Sequence, residues 1–307
     1  MRLFEHTNFD FVGNRHKAYI FSAVLMIASL ISLVVRGVEV GIDFQGGMSF
    51  VIETDQPIPV GDVRSELADQ IGIESEVKTY GQDAILIRTA AEGDITEVQE
   101  QILQTIQTAF PDSNPTVAGT DIVGPRFAED LERGAVYSVI GSLLVIFVYI
   151  LIRFEWRFGF ASVAALFHDV LITLGLFSMF YGIMPFSLQI DQTIIAAFLT
   201  LIGYGINDTV VIFDRIREYM NMLKTEPFPI MVNRAINSTL SRTIVTGGTT
   251  LLSVIVLFIF GGEVLRGFAF ALAVGIVVGT YSSVFVAPPI LIELREREAK
   301  RAVTSRR

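Results

Sequence analysis

The chain has 307 residues, of which 51% are hydrophobic and 18% are charged, and its mean hydropathy is +0.55. Soluble domains carry about 25% charged residues, so this composition favours a membrane protein. The absence of cysteine excludes disulfide scaffolds, thiolate metal sites and thiol nucleophiles. The net charge of −9 conceals an acidic segment, residues 36–133, with 19 acidic and 6 basic side chains. This pattern fits a membrane protein with one water-exposed domain and does not fit a nucleic-acid binder.

Six apolar windows are long enough to cross a bilayer as helices, which takes about 20 residues each. They comprise residues 18–35, 135–152, 158–180, 192–213, 243–261 and 267–292. Basic residues concentrate in every second connection, and such connections usually lie in the cytoplasm. The sequence thus predicts a polytopic α-helical membrane protein with both termini cytoplasmic. Its predicted regions are 1–36 (N-terminus and first span), 37–133 (outer domain), 134–292 (five further spans, with a cytoplasmic loop at 214–242) and 293–307 (basic tail).

A glycine-rich string follows the first window, at the predicted outer face of the membrane. It contains Gly41, Asp43, Phe44, Gly46 and Gly47. Glycine permits tight backbone turns because it has no Cβ, but the string by itself indicates no function.

Short alternating segments between the first two windows predict an α+β domain. Strands are predicted at 48–54, 76–80, 84–89 and 117–123, and helices at 62–70 and 94–110, the second capped by Asp94. Residues 81–83 are predicted to form a hairpin turn between the second and third strands. The order β-α-β-β-α-β predicts a small ferredoxin-like domain, located outside the cytoplasm.

Ionisable residues inside the predicted spans mark a candidate site, because charge at bilayer depth is costly. Asp208 lies near the cytoplasmic end of the fourth span and Arg242 at the cytoplasmic start of the fifth, so the antiparallel helices place them at similar depth. Polar residues four, seven and eleven positions after Arg242 share its helix face. The hydrated seam predicted here is lined by Gly205, Asn207, Thr246, Thr249 and Ser253.

Two interpretations of the charged pair stay open. Protonation of Asp208 would release Arg242, which cannot lose its own charge, and deprotonation would recapture it, so that a proton gradient could bias the pair. Alternatively, the two residues form a static buried ion pair. Asp169, beside His168 in the third span, is a further candidate for the proton pathway, or a hydrogen-bond partner of Thr173.

Small residues recur at every fourth position of the last window, at Gly267, Ala271, Gly275 and Gly279. Such a stripe allows another helix to approach closely, and packing within this chain explains it more simply than packing on a partner. Further along, Pro288 and Pro289 are predicted to end or kink the helix.

The sequence predicts no enzymatic activity, no metal site and no cofactor, with protons as the coupling ion. It contains no G-x-x-x-x-G-K-[ST] phosphate loop, no G-x-S-x-G elbow and no H-E-x-x-H motif. An intramembrane aspartyl protease would pair Asp169 with Asp208. The residues that precede each aspartate do not match the motifs of such proteases, so proteolysis is disfavoured.

Several strings in the chain match a known family. They are Gly-Ile-Asp-Phe-x-Gly-Gly at 41–47, Val-Gly-Pro at 123–125, Phe-His-Asp at 167–169, Gly-Tyr-x-x-Asn-Asp-Thr-Val-Val-x-Phe-Asp-Arg-Ile-Arg-Glu at 203–218 and Asn-x-Ala-x-Asn-x-Thr-Leu-Ser-Arg-Thr at 233–243. Through them the chain resembles the SecF family, the smaller subunits of the SecDF protein-export complex within the resistance-nodulation-division (RND) superfamily. The resemblance covers essentially the whole chain.

The resemblance implies that the six spans are half of an RND-type 12-helix unit and that SecD supplies the other half. It also implies that the complex joins the SecYEG channel, with its SecA-driven preproteins, and uses proton motive force to assist export. YajC is a further candidate partner. By motif, Asp208 and Arg242 carry over as proton-pathway residues, and Asp169 is carried over with them.

Two other functions remain open on the sequence alone. An RND-type exporter of lipids or small hydrophobic molecules would share the membrane physics, although such exporters generally carry two outer domains and 12 spans in one chain. A passive translocon scaffold would move no protons, and it predicts that Asp208→Asn leaves function intact. A carboxylate seam suits either H⁺ or Na⁺.

Overall fold

The computed structural model describes residues 8–73, 75–80, 83–90, 93–184 and 186–304. Within these ranges the helices are α1 (Arg15–Val35), α2 (Ile42–Gln45), α3 (Val60–Ile71), α4 (Ile95–Ala109), α5 (Pro125–Arg153), α6 (Trp156–Phe180), α7 (Gln192–Met222), α8 (Phe228–Phe260), α9 (Gly262–Phe285) and α10 (Ala287–Thr304). The strands are β1 (Gly47–Glu53), β2 (Ser75–Tyr80), β3 (Ala84–Thr89) and β4 (Thr116–Val123). Among the described residues, six helical stretches are long and apolar enough to cross a membrane, which confirms the predicted six spans.

The helices extend well beyond the apolar windows, and the predicted loop at 214–242 is therefore wrong. Helix α7 continues to Met222 and α8 begins at Phe228, so that only residues 223–227 connect them. Apolarity marks the part of a helix that lies in lipid, whereas helical hydrogen bonds also form in water. The extension of α7 carries an ion pair between Arg215 and Glu218, three residues apart at 2.7 Å, of the kind that supports an exposed helix.

The boundaries of two other predicted regions also differ. The predicted outer domain at 37–133 overlaps a membrane helix, because α5 already begins at Pro125. The basic tail is helical through Thr304 as part of α10. Helix α9 ends at Phe285, and the chain turns at Val286 into α10. This break agrees with the kink expected at Pro288 and Pro289, since proline donates no helical hydrogen bond and clashes with the preceding turn.

The four strands form one antiparallel sheet in the order β2-β3-β1-β4. All four begin and end within one residue of the predicted positions, and the β-α-β-β-α-β order is present. Helices α3 and α4 supply Leu67 and Ile102 to a closed core with Phe50 and Ile87.

The predicted helix cap at Asp94 is also confirmed. The N–H of Thr96 donates to the Asp94 carboxylate at 2.8 Å, and this hydrogen bond lowers the pKa of the carboxyl group. Of the predicted turn at 81–83, positions 81 and 82 lie outside the described residues.

The connections between spans gather at two ends of the bundle. At one end, Val12, Phe154, Ile216, Val232 and Ile292 share a buried cluster. This cluster joins the N-terminal segment, the α5–α6 turn, the end of α7, the start of α8 and α10. At the other end, the backbone N–H of Ile190, before α7, donates to the carbonyl of Glu39, after α1, at 2.8 Å. The connections at the first of these two ends, around the buried cluster, are the ones that carry excess basic residues.

Exposure divides the spans into central and peripheral ones. The apolar windows of α5 and α8 are only 6% and 17% buried, whereas the window that begins in α9 is 56% buried. Helix α9 packs against α6, α7 and α8. Helices α5 and α8 therefore turn most of their surface away from this chain.

Candidate functional site

The glycine-rich string 41–47 joins the C-terminal end of α1 to the start of α7. The N–H of Gly41 donates to the carbonyl of Ile190 at 2.9 Å. The carboxylate of Asp43 accepts from the N–H of Gln192, the first residue of α7, at 3.0 Å. Phe44 packs on the apolar cluster formed by α6, α7 and α9. The string therefore caps a central span as well as turning the chain into the sheet.

Gly46 and Gly47 occupy positions that no other residue fills without strain. Their φ angles are +79° and +143°, which L-residues rarely adopt. A Cβ on Gly47 would lie 2.4 Å from the carbonyl oxygen of Thr89, and one on Gly46 would lie 3.2 Å from that of Val123. The two glycines thus allow the chain to enter the sheet between β3 and β4.

Asp191 is a second cap at the start of α7. Its carboxylate accepts from the N–H of Ile194 at 2.8 Å, as expected of an aspartate at a helix N-terminus. Burial raises the pKa of Asp191, and the nearby Asp43 adds to this shift, whereas the Ile194 N–H and Arg88 oppose it. Two carboxylates therefore share the positive end of one helix.

The carboxylate of Asp169 is buried in α6 and fully engaged. Its Oδ2 accepts from the hydroxyl of Ser282 on α9 at 2.7 Å, and its Oδ1 lies 2.9 Å from Nδ1 of His168. The predicted bond with Thr173 exists, but its hydroxyl donates to the backbone carbonyl of Asp169 at 2.8 Å and not to the carboxylate. This carboxylate therefore links α6 to α9.

The small-residue stripe of α9 lies against α7. A Cβ on Gly275 would lie 2.2 Å from Leu201, and one on Gly279 would lie 3.6 Å from Oδ2 of Asp169 and 3.8 Å from Cα of Gly205. At the helix start, a Cβ on Gly267 would lie 3.2 Å from Ile194 and 2.9 Å from the carbonyl of Ser187. The fourth member, Ala271, is fully buried. All four positions are used in contacts within the chain.

Asp208 is buried in α7, with 4% of its surface exposed. Within the described part of the chain it accepts no hydrogen bond and forms no direct ion pair. Arg242 is exposed on α8 and still attracts it electrostatically. The structure therefore places the two charges near each other without joining them.

Most of the remaining predicted seam faces outward from the six-span bundle, whereas Gly205 faces inward, since a Cβ there would lie 3.1 Å from Leu166 and 3.7 Å from Oδ2 of Asp169. Asn207, Thr249 and Ser253 are exposed, and Thr246 and Gly205 are partly buried. The hydroxyls of Thr249 and Ser253 donate to carbonyls of their own helix, at 2.9 and 3.2 Å. We name the surface formed by Asn207, Arg242, Thr249 and Ser253 the open polar face. In this chain the polar residues of the predicted seam thus form an outer surface, and the hydrated seam itself stays a prediction.

Sequence reasoning assigned no role to Ser282, Asn233 or Asn237. Ser282 is the partner of Asp169, and its only signal was a hydroxyl residue three positions after Gly279. Asn233 and Asn237, one turn apart on α8, bind the N-terminal segment: their side-chain oxygens accept from the N–H groups of Phe11 and Phe9, both at 2.9 Å. In the sequence, the only sign of a role for these two asparagines is that they belong to the family string at 233–243.

Comparisons with known proteins agree with this arrangement. The family model "Protein export membrane protein SecD/SecF, C-terminal" matches residues 102–297, and the "SecD/SecF GG Motif" model matches residues 31–58, which include the glycine-rich string. The chain is 66% identical to the protein translocase subunit SecF of Rhodothermus marinus, over 98% of each chain. It is 40% identical to that of Haemophilus influenzae, over 93% of this chain and 86% of the other.

Solved structures give the same result. The crystal structure of SecDF from Thermus thermophilus, described as a translocon-associated membrane protein, matches with a TM-score of 0.84 and 34% identity. The match covers 96% of this chain but only 40% of the SecDF chain. A SecDF structure described as a super-membrane-facing form matches with a TM-score of 0.73 and 32% identity. The chain therefore belongs to the SecF family of protein translocase subunits.

Proposed function

We propose that this chain is the SecF-type half of a SecDF complex that uses proton motive force to assist protein translocation through the SecYEG channel. Its relatives are named protein translocase subunits, and it matches 40% of the SecDF chain. The missing half would come from a SecD-like partner, giving the 12 spans of an RND-type unit.

The main support for this proposal is the open polar face, because its exposed polar residues need a covering partner within the membrane. Arg242 and Asn207 are exposed within helices that also span the apolar layer, and α8 is the span with the second-lowest burial. Charged groups at membrane depth face a protein interior or a water-filled cavity, because contact with lipid is costly. A second set of helices that covers this face removes that cost. The SecD-like partner is the natural candidate for it.

The surroundings of Asp208 support the proposal of proton coupling. A carboxylate that is buried without a hydrogen-bond donor responds strongly to any charge brought close to it, because the surrounding dielectric is low. Protonation removes its attraction for Arg242, and deprotonation restores it. A proton crossing the membrane delivers about 2.3 kcal/mol per 100 mV, which is enough to bias a pair that is not locked together.

The four-stranded domain is placed outside the cytoplasm in this proposal, as a ferredoxin-like domain. Its segment has a net charge of −13, whereas the connections at the opposite end of the bundle are basic, as expected of cytoplasmic connections. The chain is thus a multi-pass protein of the cell (inner) membrane with both termini cytoplasmic. SecYEG, SecA-driven preproteins and YajC are partners on the same proposal.

Export of a secreted reporter protein tests the proposal in cells that carry wild type, Asp208→Asn or Arg242→Lys at equal membrane abundance. The matched control is Ser253→Ala, on the open polar face but with its hydroxyl bonded within its own helix. Both charge variants are expected to export as poorly as a deletion, whereas the control exports normally. Normal export by Asp208→Asn would instead identify a passive scaffold. Dissipating the proton gradient should remove the advantage of wild type over Asp208→Asn.

A further inference from the structure

A cleft of about 960 Å³ separates the sheet from the membrane helices. Its lower wall includes Glu39, Tyr181 and Gly262, which lie within four residues of the end of α1, the end of α6 and the start of α9. Its upper wall is formed by β2, β3 and the first turns of α3. Because three apolar spans end here, the cleft lies at the level of the lipid headgroups. We name it the headgroup cleft.

Basic side chains from four elements converge on the headgroup cleft. Arg64 of α3, Lys78 of β2, Arg88 of β3 and Arg266 of α9 all line it. The first three are half of the six basic residues in the acidic segment 36–133. Such a concentration within a segment of net charge −13 is not expected from a scattered surface distribution. Against these four bases the cleft wall carries two acids, Glu39 and Glu76. The excess of positive charge makes a local site for an anion, since the field of a charged cleft raises the local concentration of counter-ions.

The cleft also contains buried polar atoms without a protein partner. Among the described residues, Nε of Arg88, Oγ of Ser75 and Oε1 of Gln189 are buried without a hydrogen bond. Gln189 is only 8% exposed and lines the cleft. Buried polar groups almost always have partners. An occupant with both donors and acceptors would provide them.

Apolar residues complete the wall of the cleft. Val40, Ile42, Met184 and Phe186 line it beside the basic groups. Arg64 donates to the carbonyl of Val77 in β2 at 3.2 Å, and Arg64 and Arg88 are close enough to the span ends to act electrostatically on Tyr181 and Asp191. A ligand that suits this wall has an anionic head and an apolar body, and a phospholipid at this depth has both.

We propose that the headgroup cleft binds the phosphodiester head of an anionic phospholipid, with Arg64 and Arg88 as its principal cationic contacts. A headgroup with hydroxyls, such as glycerol, would also donate to Oε1 of Gln189. This site is independent of the proton pathway at Asp208. It ties the position of the sheet to the composition of the surrounding membrane.

Native mass spectrometry of the full chain in detergent tests this inference by titration with phosphatidylglycerol and, separately, phosphatidylcholine. The test variant combines the substitutions Arg64→Gln and Arg88→Gln. The matched control is Arg126→Gln, a base of the same segment in the first turn of α5 that does not line the cleft. Each base near an anionic surface contributes about fivefold in affinity. The double variant should therefore lose on the order of 20-fold in phosphatidylglycerol affinity, and the control should lose less than about twofold.

A gain-of-binding variant excludes misfolding as the cause. Glu76 lines the cleft and pairs with Lys78, so Glu76→Gln removes a repulsive charge and should raise phosphatidylglycerol affinity about fivefold. Equal affinity of wild type and the double variant would overturn the proposal, as would phosphatidylcholine binding as tightly as phosphatidylglycerol. Displacement of the lipid by millimolar inorganic phosphate, or preferential binding of an acidic peptide, would also overturn it in favour of that ligand.

Discussion

The two aspartates inside the membrane helices have the same chemistry and opposite surroundings. Asp169 accepts from Ser282 and contacts His168, both within 2.9 Å. Asp208, on the neighbouring helix, is as deeply buried but accepts no hydrogen bond among the described residues, and its basic neighbour Arg242 stands apart on an exposed surface. A buried carboxylate that has a hydrogen-bond partner on each oxygen stabilises one arrangement of helices. One without bonds is poised to respond to a proton or a partner.

The largest expected effect is on export in Asp208→Asn. The substitution is nearly isosteric and breaks no hydrogen bond, so the temperature of thermal unfolding should change by less than about 2 °C. Export should nevertheless fall to the level of a deletion, because the amide neither titrates nor attracts Arg242. If the unfolding temperature and export both fall in this variant, the contrast between the two aspartates is wrong, since Asp208 would then be a structural group like Asp169.

The second effect is on stability in Asp169→Ala. It removes the acceptor that the Ser282 hydroxyl and the His168 ring share, although the hydroxyl can still donate to the carbonyl of Gly279 at 3.1 Å. The expected cost is therefore about 1 to 2 kcal/mol in the free energy of unfolding. Hydrogen bonds inside membranes are weaker on average, so a double-mutant cycle with Ser282→Ala should give a coupling of about 1 kcal/mol. Denaturant titration of the purified chain measures both. A coupling near zero would mean that this bond does not join α6 to α9.

The sequence predicted the secondary structure well, but it predicted the surroundings of the two aspartates poorly. Apolar windows and alternation depend on residues close in sequence, so the six spans and all four strands were located from them. Ser282 and Asp169 are 113 positions apart, and only the folded packing of α6 on α9 brings them together. For the same reason the polar residues after Arg242 were correctly identified as one helix face, but the side of the bundle on which that face lies depends on tertiary contacts.

A smaller effect is expected at the glycines of the small-residue stripe of α9. Gly275→Ala places a methyl group 2.2 Å from the Leu201 side chain, and such overpacking should destabilise the chain by about 1 to 2 kcal/mol. Gly279→Ala is the matched control on the same stripe, because its methyl group would meet its neighbours at 3.6 Å and 3.8 Å, ordinary contact distances. Alanine also has better helix propensity, so the control should be neutral or slightly stabilising. Equal losses in both variants would show that the whole stripe, and not one contact, sets the spacing of α9 and α7.

The smallest effect is expected on the open polar face itself, where Thr249→Val keeps the shape of the side chain and removes its hydroxyl. That hydroxyl donates to the carbonyls of Val245 and Thr246 in its own helix, so those carbonyls keep their backbone hydrogen bonds when it is lost. We expect a change in unfolding free energy below about 0.5 kcal/mol and normal export. A strong loss of export with unchanged stability would mean that the hydroxyl is used by a partner or by water in the assembled complex. The functional group of this face would then extend beyond Asp208 and Arg242 along α8.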